Sequence, residues 1–205
     1  MAKIGIVPMS AKPYHAGHDG LVRLAAKEND EVHLYVSTSN RDVVSGDAMA
    51  KIWRDQIEPS LPNNVVVTYG GSPVGNVWKD VGEADIAGSE DTFRIYSDPE
   101  DAATNFPDDL MQKYASGIFQ AGRLTRRPVE RTSTVNVSGT KMRAFLTAGD
   151  KKSFLKFLPK GIDGNVVWDT LTTMKPSPKP KTLKKSVKGE SVIREFVRLL
   201  RSRES

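Results

Sequence analysis

KIGIVP at residues 3–8, followed closely by KPYHAGHDGLVRLA at 12–25, decides how this chain folds. The first segment is a short apolar run that ends at Pro8, which suits a strand buried on both faces. In the second, two of the three histidines of the protein, His15 and His18, sit around Gly17, and Leu21, Val22, Leu24, Ala25 and Ala26 then follow at helical spacing to about Asn29. A buried strand leading into a helix is the unit from which parallel sheets are built.

The alternation continues. EVHLYVSTS (31–39) and NVVVTY (64–69) read as strands, and SGDAMAKIWRDQIEP (45–59) reads as a helix with Ser45 as N-cap and Pro59 as its stop. ADIAGSEDTFRIYS (84–97) reads as a strand, a turn at Gly88–Ser89, and less regular chain, and FPDDLMQKYASG (106–117) as a helix closed by Gly117. The expected fold is α/β: a Rossmann-like parallel sheet with helices on both faces. In such sheets ligands lie beyond the carboxyl ends of the strands, which is where His15 and His18 fall.

At 205 residues, with 27% charged and 38% hydrophobic side chains, the chain is long enough for one sizeable core. No apolar run of 18 residues is present, and the N-terminal apolar stretch is too short for a signal peptide, so a cytoplasmic protein is expected. There is no cysteine, which excludes disulfides and thiolate metal sites. The net charge of +5 is uneven: residues 175–205 carry 10 Lys+Arg against 3 Asp+Glu, and the rest is slightly acidic. The overall basicity is therefore no argument that the body binds nucleic acid, and no such role is expected of it. The expected organisation is a domain over 1–174, a Pro/Lys-rich linker over 175–189 and an amphipathic helix over 190–205.

A second informative stretch is VNVSGTKMRAFLTAGDKKSFLKFLPKG (135–161). It reads as a strand end, a turn at Ser138, Gly139 and Thr140, a helix from about Lys141 to Ala148 closed by Gly149, and a short helix capped by Asp150. A helix start offers backbone N–H groups and a positive dipole end, which suits phosphate. His15 and His18 add side-chain donors at one start, with Gly17 letting a nucleotide approach the backbone. Ser138, Thr140, Lys141 and Arg143 add hydroxyls and charge at the other. Two such starts, each after a strand, suit a nucleoside triphosphate.

HAGH (15–18) matches the H-x-G-H motif of the nucleotidyltransferase superfamily, and VSGTKMR (137–143) resembles its second signature, I-S-[SG]-T-x-x-R. Over about residues 3–161 the chain most resembles compact nicotinamide-nucleotide adenylyltransferases of the archaeal and viral type. Where those enzymes have Gly-x-Phe-x-Pro before the first histidine, this chain has Met9-Ser10-Ala11-Lys12-Pro13.

The resemblance implies transfer of AMP from ATP to a phosphate monoester such as nicotinamide mononucleotide, with release of pyrophosphate. Magnesium would be carried with the triphosphate rather than caged by the protein. His15, His18 and Arg143 would be catalytic, with Gly17, Ser138, Gly139, Thr140 and Lys141 around the nucleotide. Lys12 is a candidate for the α-phosphate or the acceptor side, Arg41 and Arg54 for the acceptor phosphate, and Gly88, Ser89 and Asp91 for base or ribose. The expected partners are ATP and a small phosphorylated acceptor, with no membrane. A cytidylyltransferase using CTP, or a nucleotide-binding assembly module without catalysis, are the alternatives. Self-association and a partner for the tail stay open. His33, mid-strand, reads as structural, as do Trp53, Trp78 and Trp168. RLTRRPVER (123–131) reads as a solvated loop near the site mouth.

Overall fold

The computed structural model describes residues 1–130 and 137–176. Its centre is a five-stranded sheet, all parallel, built from β1 (Lys3–Met9), β2 (Glu31–Val36), β3 (Val65–Tyr69), β4 (Thr92–Ser97) and β5 (Leu124–Pro128) in the order β3-β2-β1-β4-β5. β1 is central because Ile6 and Val7 are buried on opposite faces, both at 0% exposure. The chain winds outward from β1 to β3, then returns to its other side for β4 and β5. The order therefore reverses between β1 and β4, and a crevice opens at their carboxyl ends.

Helices cover both faces. α1 (Ala16–Glu28), α2 (Gly46–Ile52), α7 (Gly139–Ala148), α8 (Lys151–Leu155) and α9 (Gly164–Thr173) contribute to one core with Val7, Val32, Leu34 and Val36. α3 (Pro73–Ile86), α5 (Asp108–Tyr114) and α6 (Ser116–Gln120) contribute to the other, with Ile6, Tyr35, Phe93 and Ile95. α4 (Pro99–Asn105) follows β4 directly. Trp53, Trp78 and Trp168 all pack in these cores. The tail expected to hold a linker and a terminal helix lies outside the described residues from 177 onward.

Four local readings need correction. Residues 84–86 end α3 rather than forming a strand; Ser72 caps that helix and Pro73 starts it, and the strand begins only at Thr92. The segment 106–117 is two helices: the chain breaks at Ala115, and Gly117 lies inside α6, where its amide and that of Ile118 donate to the Asp85 carboxylate. The helix begun at Ser45 does not run to Pro59 in one form. It widens into a π turn at Trp53–Ile57 and tightens into a 3₁₀ turn at Glu58–Ser60. Finally, Leu124–Pro128 is an edge strand, not a solvated loop. Its arginines are structural: Arg126 binds Asp108 and Arg127 binds Glu28, while the preceding Arg123 donates to the Ser89 carbonyl.

Candidate active site

The reversal between β1 and β4 opens into a cleft of about 580 Å³. It is lined by the loop after β1 (Ser10, Lys12), the start of α1 (His15, Gly17, His18), the end of β4 (Ser97, Asp98) and the start of α7 (Ser138, Gly139, Thr140, Arg143). The two sequence motifs, more than 120 positions apart, meet here because β1 and β4 are neighbours and α7 packs back over the β1 loop.

His15 is both lining residue and N-cap. Its Nδ1 accepts from the Gly17 amide at 3.2 Å, which leaves Nε2 as the N–H of the ring. Gly17 has a different use from the one expected. A Cβ there would come within 3.1 Å of the His15 ring, so the glycine makes room for the cap rather than for a nucleotide. The Ala16 amide donates to the Phe157 carbonyl at 2.8 Å. The first two amides of α1 are therefore spent inside the protein, and this helix offers side chains and its dipole end. The His15 and His18 rings stack at 3.8 Å between centroids. Tyr14 stacks behind His18 at 5.7 Å and meets Trp53 edge-on at 4.8 Å, so the pair rests on an aromatic floor.

The start of α7 complements it. Ser138 caps the helix, accepting from the Lys141 amide at 3.2 Å, and the amides of Gly139 and Thr140 have no protein acceptor among the described residues. Those two N–H groups and the helix dipole make α7 the better amide cradle for an anion. Arg143, 8% exposed, is held on three sides. Its Nε donates to Asp42 at 2.7 Å, NH1 to the Lys12 carbonyl at 2.8 Å and NH2 to Thr140 Oγ1 at 3.0 Å. Among the described residues these bonds use three of the five guanidinium N–H groups.

Lys12 is 2% exposed, with Nζ donating to Ser37 Oγ and Ser39 Oγ, both at 2.9 Å. Burial, and then the nearby Arg41 charge, push its ammonium down to about 8. Arg41 also lines the cleft, with NH1 3.5 Å from Ser10 Oγ.

Other expected residues lie elsewhere. Gly88, Ser89 and Asp91 precede β4 instead of following a strand. They sit at the amino end of the sheet, opposite the cleft, where Asp91 accepts from the Ala2 amide at 2.6 Å. Arg54 is exposed on the π turn and does not line the cleft, nor does Lys141, whose Nζ lies 5.1 Å from the Phe157 ring centroid. His33 is structural: its Nδ1 is 2.6 Å from Asp80, which also accepts from Tyr35. Three lining residues went unread: Ser97, Asp98 and Asp101. Ser97 Oγ is buried with no hydrogen-bond partner among the described residues. Its place at a strand's carboxyl end, just before Pro99, was the available signal.

A sequence model of the citrate lyase ligase C-terminal domain matches residues 4–72, from β1 to just beyond β3. Among solved structures, TmcAL of Thermotoga maritima bound with alpha-thio ATP superposes with a TM-score of 0.50 at 14% identity, over 83% of this chain and 55% of that one. A Vibrio parahaemolyticus protein proposed to be a nicotinate-nucleotide adenylyltransferase superposes with a TM-score of 0.53 at 17% identity, over 83% of this chain and 99% of that one. The chain shares the α/β fold of these two structures. It spans just over half the length of the Thermotoga protein. No curated protein matches its sequence. No helix among the described residues is long and apolar enough to cross a membrane.

Proposed function

We propose that this protein is a nucleotidyltransferase that moves AMP from ATP to a phosphate monoester, with nicotinamide mononucleotide as the favoured acceptor and NAD as product. The observation that carries the reading is the meeting of His15, His18 and the α7 start on one cleft at the strand-order reversal. An oxygen of the acceptor phosphate attacks the α-phosphorus, a new P–O bond forms, the bond to the β-phosphate bridge breaks, and pyrophosphate leaves. No covalent step on the protein is needed, so positioning and charge stabilisation supply the catalysis.

In this reading His15 and His18 donate to the α-phosphate as charge develops there. The Gly139 and Thr140 amides, the Ser138 and Thr140 hydroxyls and Arg143 hold the β- and γ-phosphates that depart. Magnesium enters with the triphosphate as part of the substrate.

The test is pyrophosphate release with ATP, CTP, GTP or UTP, each with nicotinamide mononucleotide and magnesium. Release with ATP alone, dependent on the mononucleotide, is the expected result. Release with CTP and another acceptor would move the assignment to cytidylyl transfer. Binding of a triphosphate without release across an acceptor panel would replace the enzyme with a binding module.

A further inference from the structure

Lys12 is a buried ammonium whose hydrogen-bond partners among the described residues are hydroxyls, with no carboxylate among them. Its polar side-chain partners among the described residues are Ser37 Oγ and Ser39 Oγ, which are themselves 2.9 Å apart. A buried charge without a counter-ion is costly and is retained where a ligand supplies one. Arg41 makes matters worse, since its charge opposes that of Lys12. The nearest acid in that loop, Asp42, is already paired with Arg143. The cluster therefore holds two cations and the hydroxyls of Ser10, Ser37 and Ser39, and it opens on the cleft through Ser10, Lys12 and Arg41.

The loop that carries the hydroxyls is fixed before any ligand arrives. A Cβ on Gly46 would fall 1.8 Å from the Thr38 carbonyl oxygen, so only glycine lets α2 seat against this loop. The Gly46 amide also donates to Asn40 Oδ1 at 2.8 Å. Held in this way, the cluster meets an anion without reorganising.

We infer that Lys12, Ser37, Ser39 and Arg41 form an anion site on the β2 side of the cleft, built for the dianionic phosphate of a monoester and separate from the triphosphate cradle at α1 and α7. Two cations match a dianion, and a tetrahedral phosphate can engage several donors at once. Naming this anion as the acceptor rests on the transferase reading above; the anion site itself does not.

The experiment follows the Lys12 ε-methylene resonance of the full chain by carbon-detected NMR during titration with inorganic phosphate, with Lys12→Met supplying the assignment. Phosphate is expected to shift that resonance and to raise the Lys12 titration midpoint by about one unit, because a bound anion favours the ammonium. The Ser37→Ala/Ser39→Ala double variant is expected to need about tenfold more phosphate for the same shift. His18→Ala is expected to leave the Lys12 response in place, since it touches the other anion cradle. A Lys12 resonance and midpoint indifferent to phosphate would overturn the site, as would a response that vanishes in His18→Ala and survives in the serine variant. These readouts need no turnover, so failure of the transferase reading in the pyrophosphate assay leaves them unaffected.

Discussion

Arg143→Ala is the most instructive single change, because the side chain is a strut in the fold and, in the proposed reaction, a ligand of the departing phosphates. The guanidinium joins α7 to the loop after β1 through the Lys12 carbonyl at 2.8 Å and to the following loop through Asp42 at 2.7 Å. A hydrogen bond from a charged donor to a carbonyl contributes about 1.5–3 kcal/mol. The Asp42 carboxylate is 65% exposed and rehydrates when its partner goes, so that pair adds only about 0.2–1 kcal/mol. The sum is about 3 kcal/mol, which lowers the melting temperature of a domain of this size by roughly 6–12 °C. Calorimetry of the variant checks the strut. Titration with an ATP analogue and, separately, with the phosphorylated acceptor checks the ligand role, and the loss is expected to fall mainly on the triphosphate. A melting temperature unchanged from wild type would refute the argument that Arg143 ties α7 to the β1 loop, and an acceptor-only loss would refute its assignment to the leaving phosphates.

Three further outcomes are expected. His18→Ala abolishes turnover and keeps the wild-type circular dichroism spectrum, because its ring is part of the cleft wall rather than of either core; wild-type rates in the variant would remove it from the mechanism. Gly46→Ala drives a methyl into the Thr38 carbonyl at 1.8 Å and costs about 2–4 kcal/mol, comparable to other severe core lesions, read as a lower urea midpoint. The hydrogen bond to Asp80 raises the His33 imidazole above its ordinary 6.5, against the opposing effect of burial. A raised native value means a stabilisation that is fully present below about pH 6.5 and is lost as pH climbs through the native value. In His33→Gln that slope of stability with pH is expected to flatten, which urea melts between pH 5.5 and 8.5 would measure.

The parts of the fold legible in the sequence are those where local chemistry and global role agree. KIGIVP is apolar because both faces of a central strand are covered, and Ser45 and Asp150 were readable as caps because their side chains bond amides only three residues on, whereas Ser138, read as part of a turn, caps a helix that starts at Gly139. Gly149 was readable as a helix stop, and its φ of 70° is the left-handed turn such a stop needs. The misread parts depend on distant partners. An edge strand with three exposed positions of arginine and threonine, such as β5, looks like a loop until Glu28 and Asp108 stand beside it. Likewise, the burial of Lys12 cannot be read beside the motif, since the walls that exclude water come from β2's rim and from α7. The placement of Gly88, Ser89 and Asp91 followed from one wrong strand boundary, which sent three residues to the wrong end of the sheet.

The bond from Arg143 to the Lys12 carbonyl spans 131 residues and has a consequence for how the protein is made. During synthesis the stretch holding both histidines, together with β1 to β3, leaves the ribosome long before α7 exists. At that stage β1 has one open flank, and the Lys12 carbonyl lacks the guanidinium that α7 later brings to it. The cleft is thus the last feature of the sheet to be completed, closed by a segment that arrives after all five strands. A nascent chain halted anywhere before residue 143 would carry the signature at HAGH without the guanidinium that ties the β1 loop to α7.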